Sequence, residues 1–295
     1  MVVKPTLSEK IFDFFNVLFL LLITFVTLYP LLYVLFASLS TPSAIYESKG
    51  LLLYPKQIIL DGYKLVFRHP GIAFGAKNTV IYMLIGTAIN LLMTSMGAYV
   101  LSRRNLKFGR PLLLMIVLTM YFSGGLVPLF LIVKMLGLYN SIWAYLLPTA
   151  ISTWNLIVMR TSFLALPESL EESAKIDGAN DFLILFRIII PLSLPILAVM
   201  TLFYAVDHWN AWFYASVFFR EREMYPLQLI LREILIQNVE RDSMRLVTGN
   251  DIKAVEMMAL LKYSVIIVTT VPVLFIYPFL QKYFVKGVMI GSLKE

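Results

Sequence analysis

Apolar runs of roughly 20 residues, the length a helix needs to cross about 30 Å of hydrocarbon, recur along the chain with polar breaks between them. They lie at Phe15–Phe36, Thr79–Leu101, Pro111–Val133, Ile142–Leu164, Leu192–Phe213 and Leu261–Phe284. None shows the strict alternation of a membrane β-barrel strand, and backbone groups in lipid must be satisfied internally. The pattern therefore predicts an all-α integral membrane protein with six transmembrane helices. The first run is too long for a signal-peptide core and has no clean small-residue cleavage site, so it reads as a retained anchor. The chain divides into an N-terminal anchor with its following loop, residues 1–75, and a transmembrane core, 76–295.

The polar breaks carry the orientation. "SRRNLKFGR" places Arg103, Arg104, Lys107 and Arg110 between runs two and three, whereas "KMLGLYNS" between runs three and four holds only Lys134. Lys4 and Lys10 precede the first run, and Lys286 and Lys294 follow the last. By the positive-inside rule both termini and the 102–110 loop are cytoplasmic, and an even number of crossings agrees. The 167–191 loop is then cytoplasmic too. The longer segments 38–76 and 218–258 fall outside, and 285–295 forms a cytoplasmic tail.

Composition supports a lipid environment. Of the residues 59% are hydrophobic and only 15% charged, with a mean hydropathy of +0.80; a soluble domain carries about 25% charged residues. The chain has no cysteine, which excludes disulfides and thiolate metal sites. The net charge of +7 follows from cytoplasmic loops and does not point to nucleic acid, because no basic patch with interleaved aromatics occurs.

One stretch, "PESLEESAKIDGANDFLILFRIIIP" (Pro167 to Pro191), is too polar for its surroundings. Pro167 suits a first helical position, and Glu168, Glu171 and Glu172 lie near the positive end of the helix dipole. Gly178 is the natural left-handed stop, and Asn180 or Asp181 can cap a second helix running to Pro191, which opens the fifth span. Ser173 and Ala174 give the first helix a small side for close docking. A helix resting on headgroups carries Lys and Arg toward the lipid; this one is acidic, which favours a protein partner.

Glu172-Ser173-Ala174-x-x-Asp177-Gly178, nine residues, then Ile188-x-Ile190-Pro191 resembles the EAA loop of ABC importer permeases, with serine in place of an alanine and isoleucine in place of a leucine. "YFSGGLVPLFLIVKMLGLYNS", "DHWNAWFYASVFF", "REREMYPLQLILREIL" and "QKYFVKGVMIGSLKE" resemble the branch that imports complex or polysaccharide-derived sugars. The resemblance implies the type I ABC importer permease fold in a bacterial inner membrane. It also implies a second permease subunit, two ATPase subunits holding ATP and Mg, and an extracytoplasmic sugar-binding protein. Under it Glu172, Ser173, Ala174, Asp177, Gly178, Ile188 and Pro191 couple to the ATPase, 218–258 faces the binding protein, and the tail reaches toward the ATPase pair. Oligosaccharides are the implied cargo, with uronate-rich fragments one candidate, although the net charge lends that candidate no support.

The residues agree by omission. No G-x-x-x-x-G-K-[ST] loop occurs, so the chain is not expected to hydrolyse ATP; with His69 and His208 alone and no H-E-x-x-H, the usual zinc hydrolase arrangement is missing. Since His208 lies inside a span with no G-x-S-x-G in the chain, a Ser-His-Asp site is disfavoured and no catalytic or metal site is expected. Asp207, Trp209, Asn210 and Trp212 in the outer half of run five, with Trp154 and Asn155 in run four, are candidates for a sugar pathway, since aromatic faces stack on pyranose rings and polar groups bond hydroxyls. The competing reading is an interfacial aromatic belt. Gly124, Gly125 and Pro128 bend or break run three. The alternating signs of Arg220, Glu221, Arg222 and Glu223 describe a solvated face. An ion-driven secondary transporter would show inverted repeats and charged midplane residues, and neither is present; an amino-acid or peptide ABC permease is disfavoured by "HWNAW" and "YPLQL".

The topology is testable by labelling. A cysteine at Asn105 should react with a membrane-impermeant thiol reagent from the cytoplasm only, and one at Asn238 from outside only. Labelling of both from one side contradicts six crossings.

Overall fold

A computed structural model describes residues 6–48, 50–236 and 257–275, and all regular structure among them is helical. Two compact units emerge, one from residues up to His69 together with Glu233–Thr270, the other from Pro70–Arg232 together with residues from Val271 on.

In the first unit α1 (Leu7–Ser38) spans 32 residues and starts in a capping box, in which the Thr6 N–H donates to Glu9 and the Glu9 N–H to Thr6 Oγ1. Its apolar window is exposed all round, as expected of a helix that meets lipid or another chain. Its threonines are compatible with lipid because they bond their own helix: Thr24 and Thr27 donate to Leu20 O (2.8 Å) and Ile23 O (2.9 Å). Short helices α2 (Pro42–Glu47) and α3 (Asp61–Arg68) follow. Ala37, Ile45 and Leu52 form a small core against Tyr33, Phe36 and Tyr263. The helix Met257–Phe275 contains the described part of the sixth expected span; residues 276–284 of that span, 237–256 of the external loop and the 285–295 tail lie outside the described residues.

The second unit is built on α4 (Pro70–Ser102), whose 33 residues make a rod of about 50 Å at 1.5 Å per residue. The expected second span lies within it. After it come α5 (Gly109–Leu118), α6 (Leu126–Met135), α7 (Ile142–Thr149), α8 (Thr153–Leu164), α9 (Ser169–Ile176), α10 (Asp181–Leu192), α11 (Leu194–Asn210), α12 (Phe213–Phe218) and helical residues 227–232. α8 and α11 pack along α4.

Runs three to five are not continuous helices. Run three breaks over 119–125, where Gly125 takes φ 85°, as its glycines foretold. Run four bends by 52° between α7 and α8, and α10 turns by 88° into α11. Pro191 does not open the fifth span, contrary to expectation: it sits inside α10, and the break falls at Ser193. The physical reason is a π-helical turn at Leu185–Ile189, which widens the helix just before a residue without an N–H. The fifth span also ends earlier than expected, at Asn210, because Ala211 is extended.

Freed backbone groups at these breaks find side-chain partners. Asn90 Nδ2 donates to Thr149 O (2.6 Å), and the Ser152 N–H donates to Tyr204 Oη (3.2 Å), which shares a 2.7 Å hydrogen bond with Thr94. His208 Nε2 donates to Asn90 Oδ1 (2.6 Å). Asn90 and Thr94 on α4 and Tyr204 and His208 on α11 thus hold the break in run four. Gly86 admits the His208 ring so closely that any Cβ there would collide with it. Overpacking of this kind costs about 1–3 kcal/mol. Gly86→Ala should lower the melting temperature of the detergent-solubilised protein, and adding His208→Ala should recover part of the loss. An unchanged melting temperature for Gly86→Ala contradicts the packing.

Candidate functional site

The polar loop folds as a helix, a glycine turn and a second helix. α9 starts at Ser169, two residues after the expected Pro167, because the chain enters through a tight turn in which the Leu170 N–H donates to Pro167 O (3.3 Å). It ends in a Schellman motif. Gly178 takes φ 82°, its N–H donates to Lys175 O (3.0 Å), and the Ala179 N–H donates to Ala174 O (2.9 Å). Asn180, rather than Asp181, caps α10 by accepting from the Leu183 N–H (2.8 Å).

Packing separates the faces of α9. Ala174 is buried with Tyr99, Phe163, Ile184, Leu185 and Ile189 in a core that joins α4, α8, α10 and α11. Glu172, Ser173, Ile176, Asp177 and Gly178 are exposed. The two small residues expected to form one docking side therefore face different ways, Ser173 outward and Ala174 into the core of the permease itself. Ile176 is 86% exposed, an unusual place for an aliphatic side chain on a polar loop. On α10, Ile188 is half-buried, whereas Phe182 stands out at 62% exposure.

Sequence reasoning missed the charge network beneath this loop. Arg103, just past α4, pairs with Glu171, which also binds Lys175 at 2.9 Å. The Arg103 guanidinium lies 3.7 Å from the centre of the Tyr99 ring, and the Tyr99 hydroxyl donates to Asp181 (3.3 Å). Burial lowers the Arg103 pKa from its usual value, while Asp181 and Glu168 raise it. Arg104 and Glu168 make a looser pair at 3.4 Å. The 102–110 and 167–191 loops consequently share one end of the unit, as expected of two loops on one membrane side. The only available sequence signal was basic residues in one loop and acidic residues in the other.

The other candidates fall at two levels. At the far end of α11, Asp207 and Asn210 are exposed while Trp209 is buried; Asn210 accepts from Gln228 (3.4 Å), and the Arg232 guanidinium stacks 4.0 Å over Trp212. Near the start of α8, Trp154 is 60% exposed and Asn155 buried. Trp154 opens α8 beside Thr153, whose hydroxyl shares a 3.3 Å hydrogen bond with Thr119 at the break in run three. Tyr121 and Phe122 in that break are 78% and 75% exposed. Sequence reasoning did not single out either aromatic as a site residue.

A family profile described as "Binding-protein-dependent transport system inner membrane component" matches residues 101–290. The chain belongs to this family. The polygalacturonan/rhamnogalacturonan transport system permease protein YtcP of Bacillus subtilis is 41% identical over 98% of this chain and 100% of that protein. Protein LplC of the same organism is 39% identical over 98% and 97%. A chain from the crystal structure of a bacterial ABC transporter involved in the import of the acidic polysaccharide alginate superposes with a TM-score of 0.84 at 31% identity, covering 96% of this chain and 100% of that one. The fold is thus shared with a known ABC transporter chain, and the protein is an ABC importer permease.

Within the permease, Gly178 isolates a backbone effect. A Cβ there meets nothing within 4 Å, so substitution costs only the left-handed conformation, about 1–2 kcal/mol. Gly178→Val should speed amide exchange across 169–192, and Gly178→Asn, which tolerates positive φ, should stay near wild type. Equal exchange in both variants contradicts the motif.

Proposed function

We propose that this permease forms, with a second permease subunit, the membrane pathway for oligosaccharides released from acidic, uronate-containing polysaccharides. An extracytoplasmic binding protein delivers them, two ATPase subunits supply ATP and Mg chemistry, and this chain performs no catalysis. Six crossings with both termini in the cytoplasm complete the reading. The identity to the polygalacturonan/rhamnogalacturonan permease over nearly the whole chain supports the cargo class.

The observation that carries the coupling role is the divided surface of α9. Ala174 anchors it to the permease core while Glu172, Ser173, Ile176 and Asp177 stand clear. An acidic rim around an exposed isoleucine suits a basic, partly apolar cleft in the ATPase, and would rest poorly on anionic headgroups. Gly178, Ile188 and Pro191 act indirectly by fixing the turn and the second helix.

The pathway reading rests on the two breaks. Trp154 lies ten residues before the end of α8, about 15 Å up the helix, and Thr119 follows the ten-residue α5. Both breaks are therefore near mid-bilayer. Irregular backbone at that depth is tolerated where it is buried in protein or lines a water-filled cavity. Thr119, Tyr121, Phe122, Thr153 and Trp154 supply the stacking faces and hydroxyls that a sugar requires. Asp207 lies higher along the same route, while Asn155 and Trp209, buried within the chain, support its wall; Asn210 and Trp212 are held by Gln228 and Arg232 at its outer edge.

In proteoliposomes holding both permeases and the ATPases, Glu172→Lys should abolish binding-protein-stimulated ATP hydrolysis and oligosaccharide uptake together. Trp154→Ala should assemble normally and lower uptake about tenfold, matching the 1–3 kcal/mol scale of one lost specific contact. Uptake that persists without the ATPase, or wild-type transport by Glu172→Lys, overturns the reading.

A further inference from the structure

We propose that Arg103 is a positioning residue for transport: it clamps α9 to the end of α4, so that movement imposed on α9 is carried by the longest helix of the unit. The inference rests on reading α9 as the element the ATPase grips. Chain connectivity ties α9 only to α8, through 165–168, and to α10, through the turn at 177–180. α4 has no such tie, with 66 residues separating Ser102 from Ser169 (169 − 102 − 1). A force on α9 reaches α4 only through side chains.

Apart from Ala174, apolar packing at this junction is incomplete. A cavity of about 530 Å³ opens between the end of α4, the 166–168 turn and α9, with Met96, Tyr99, Phe163 and Leu166 among its walls. The ion pair spans this gap. The Arg103 and Glu171 side chains are 19% and 17% exposed, against 68% and 44% for Arg104 and Glu168. A pair open to water holds geometry weakly, whereas a mostly buried one strongly disfavours separation. The Tyr99 ring under the guanidinium and Lys175 on the far side of Glu171 fix both partners in orientation.

α4 is suited to pass the movement on. It carries Asn90 and Thr94, which hold the break in run four, and its opposite end is bonded to the external segment: Asn78 Nδ2 donates to Glu223 O (2.6 Å), Tyr82 Oη to Met224 O (2.9 Å), and the Leu227 N–H to Thr79 Oγ1 (2.8 Å). One rigid rod thereby links the coupling loop, the mid-depth break and the external loop.

The test uses the cysteine-free background and the complete reconstituted complex. Spin labels at Val100→Cys, in the last turn of α4, and Ser169→Cys, at the start of α9, report the distance between the base of α4 and α9. In the otherwise unaltered permease that distance should be the same in nucleotide-free and ATP-bound states. Arg103→Met, which keeps the stem but removes the charge, should let the distance change on ATP binding. It should also lower sugar imported per ATP hydrolysed about fivefold or more, a normal size for coupling between sites, while ATP hydrolysis stays stimulated. Arg103→Lys should restore most of the ratio. If Arg103→Met does not assemble, Glu171→Gln takes its place with the same expectations. A wild-type ratio in the charge-removing variant, or a distance that already changes before the substitution, overturns the clamp. The coupling role of α9 itself stands or falls separately, on Glu172→Lys.

Discussion

A backbone amide or carbonyl in hydrocarbon has no water to turn to, and the architecture follows from where this permease violates helical continuity. The chain interrupts its helices at 119–125, 150–152, 193 and 211–212, and several freed groups meet a donor or acceptor from another element. Asn90 serves Thr149, Tyr204 serves Ser152, and the Tyr145 hydroxyl donates to Ala211 O (3.2 Å). Even the end of α4 is served, by the Arg160 Nε–H on Leu101 O (2.8 Å). An unsatisfied group at such depth costs several kcal/mol, so a broken span survives only beside a polar neighbour. α4 supplies much of that polarity. Its buried Thr79, Asn90 and Thr94 each bond another element, and it is correspondingly less apolar than α1. Over its apolar window α1 has only lipid or a partner to satisfy.

The same polarity divides labour among the helices. α4 is long and unbroken and is bonded to the 167–191 loop, to the break in run four and to the 223–227 segment. α5 to α8 are short and offset, and they expose aromatic side chains at their breaks. A rigid member beside interrupted ones is a sound arrangement for alternating access, since rigid-body movement of a rod changes the shape of a gap lined by short helices without remaking hydrogen bonds within it. Gly86 and His208 show the cost of this closeness: the ring fits only because one residue has no side chain.

Short-range chemistry was legible in the sequence. The glycine that ends α9 and the glycines that break run three each act within four residues and could be assigned from local rules, which also narrowed the cap of α10 to Asn180 or Asp181. Among the described residues each of the six apolar runs falls on helix, but the runs could not show which were single helices. The break over 150–152 follows a 3-10 turn holding Pro148, a signal the sequence reading passed over, and that at Ser193 comes two residues after the proline that seemed to mark it, since a π-turn absorbs the missing donor. The pairing of Arg103 with Glu171 joins positions 68 residues apart (171 − 103), and no local pattern encodes it. Likewise Asn155 and Trp209 resembled Trp154 and Asn210 in type and neighbourhood; only helix rotation turned the first two inward and left the others out.

On the proposed orientation, the arginines of the 102–110 loop serve two constraints at once. As positive charges beside a span they hold that loop in the cytoplasm. As partners of Glu168 and Glu171 they neutralise the side of an acidic helix that lies against the protein. Without them α9 would bring like charge toward an anionic membrane surface and would be pushed from it. With them, the acids facing the permease are matched, and Glu172 and Asp177 remain on the outward face around Ile176. The charge that determines topology thus also decides which acidic side chains are left to meet another protein. An acidic loop on the positive side of a membrane is then no contradiction, because the bases that define that side are the ones holding it.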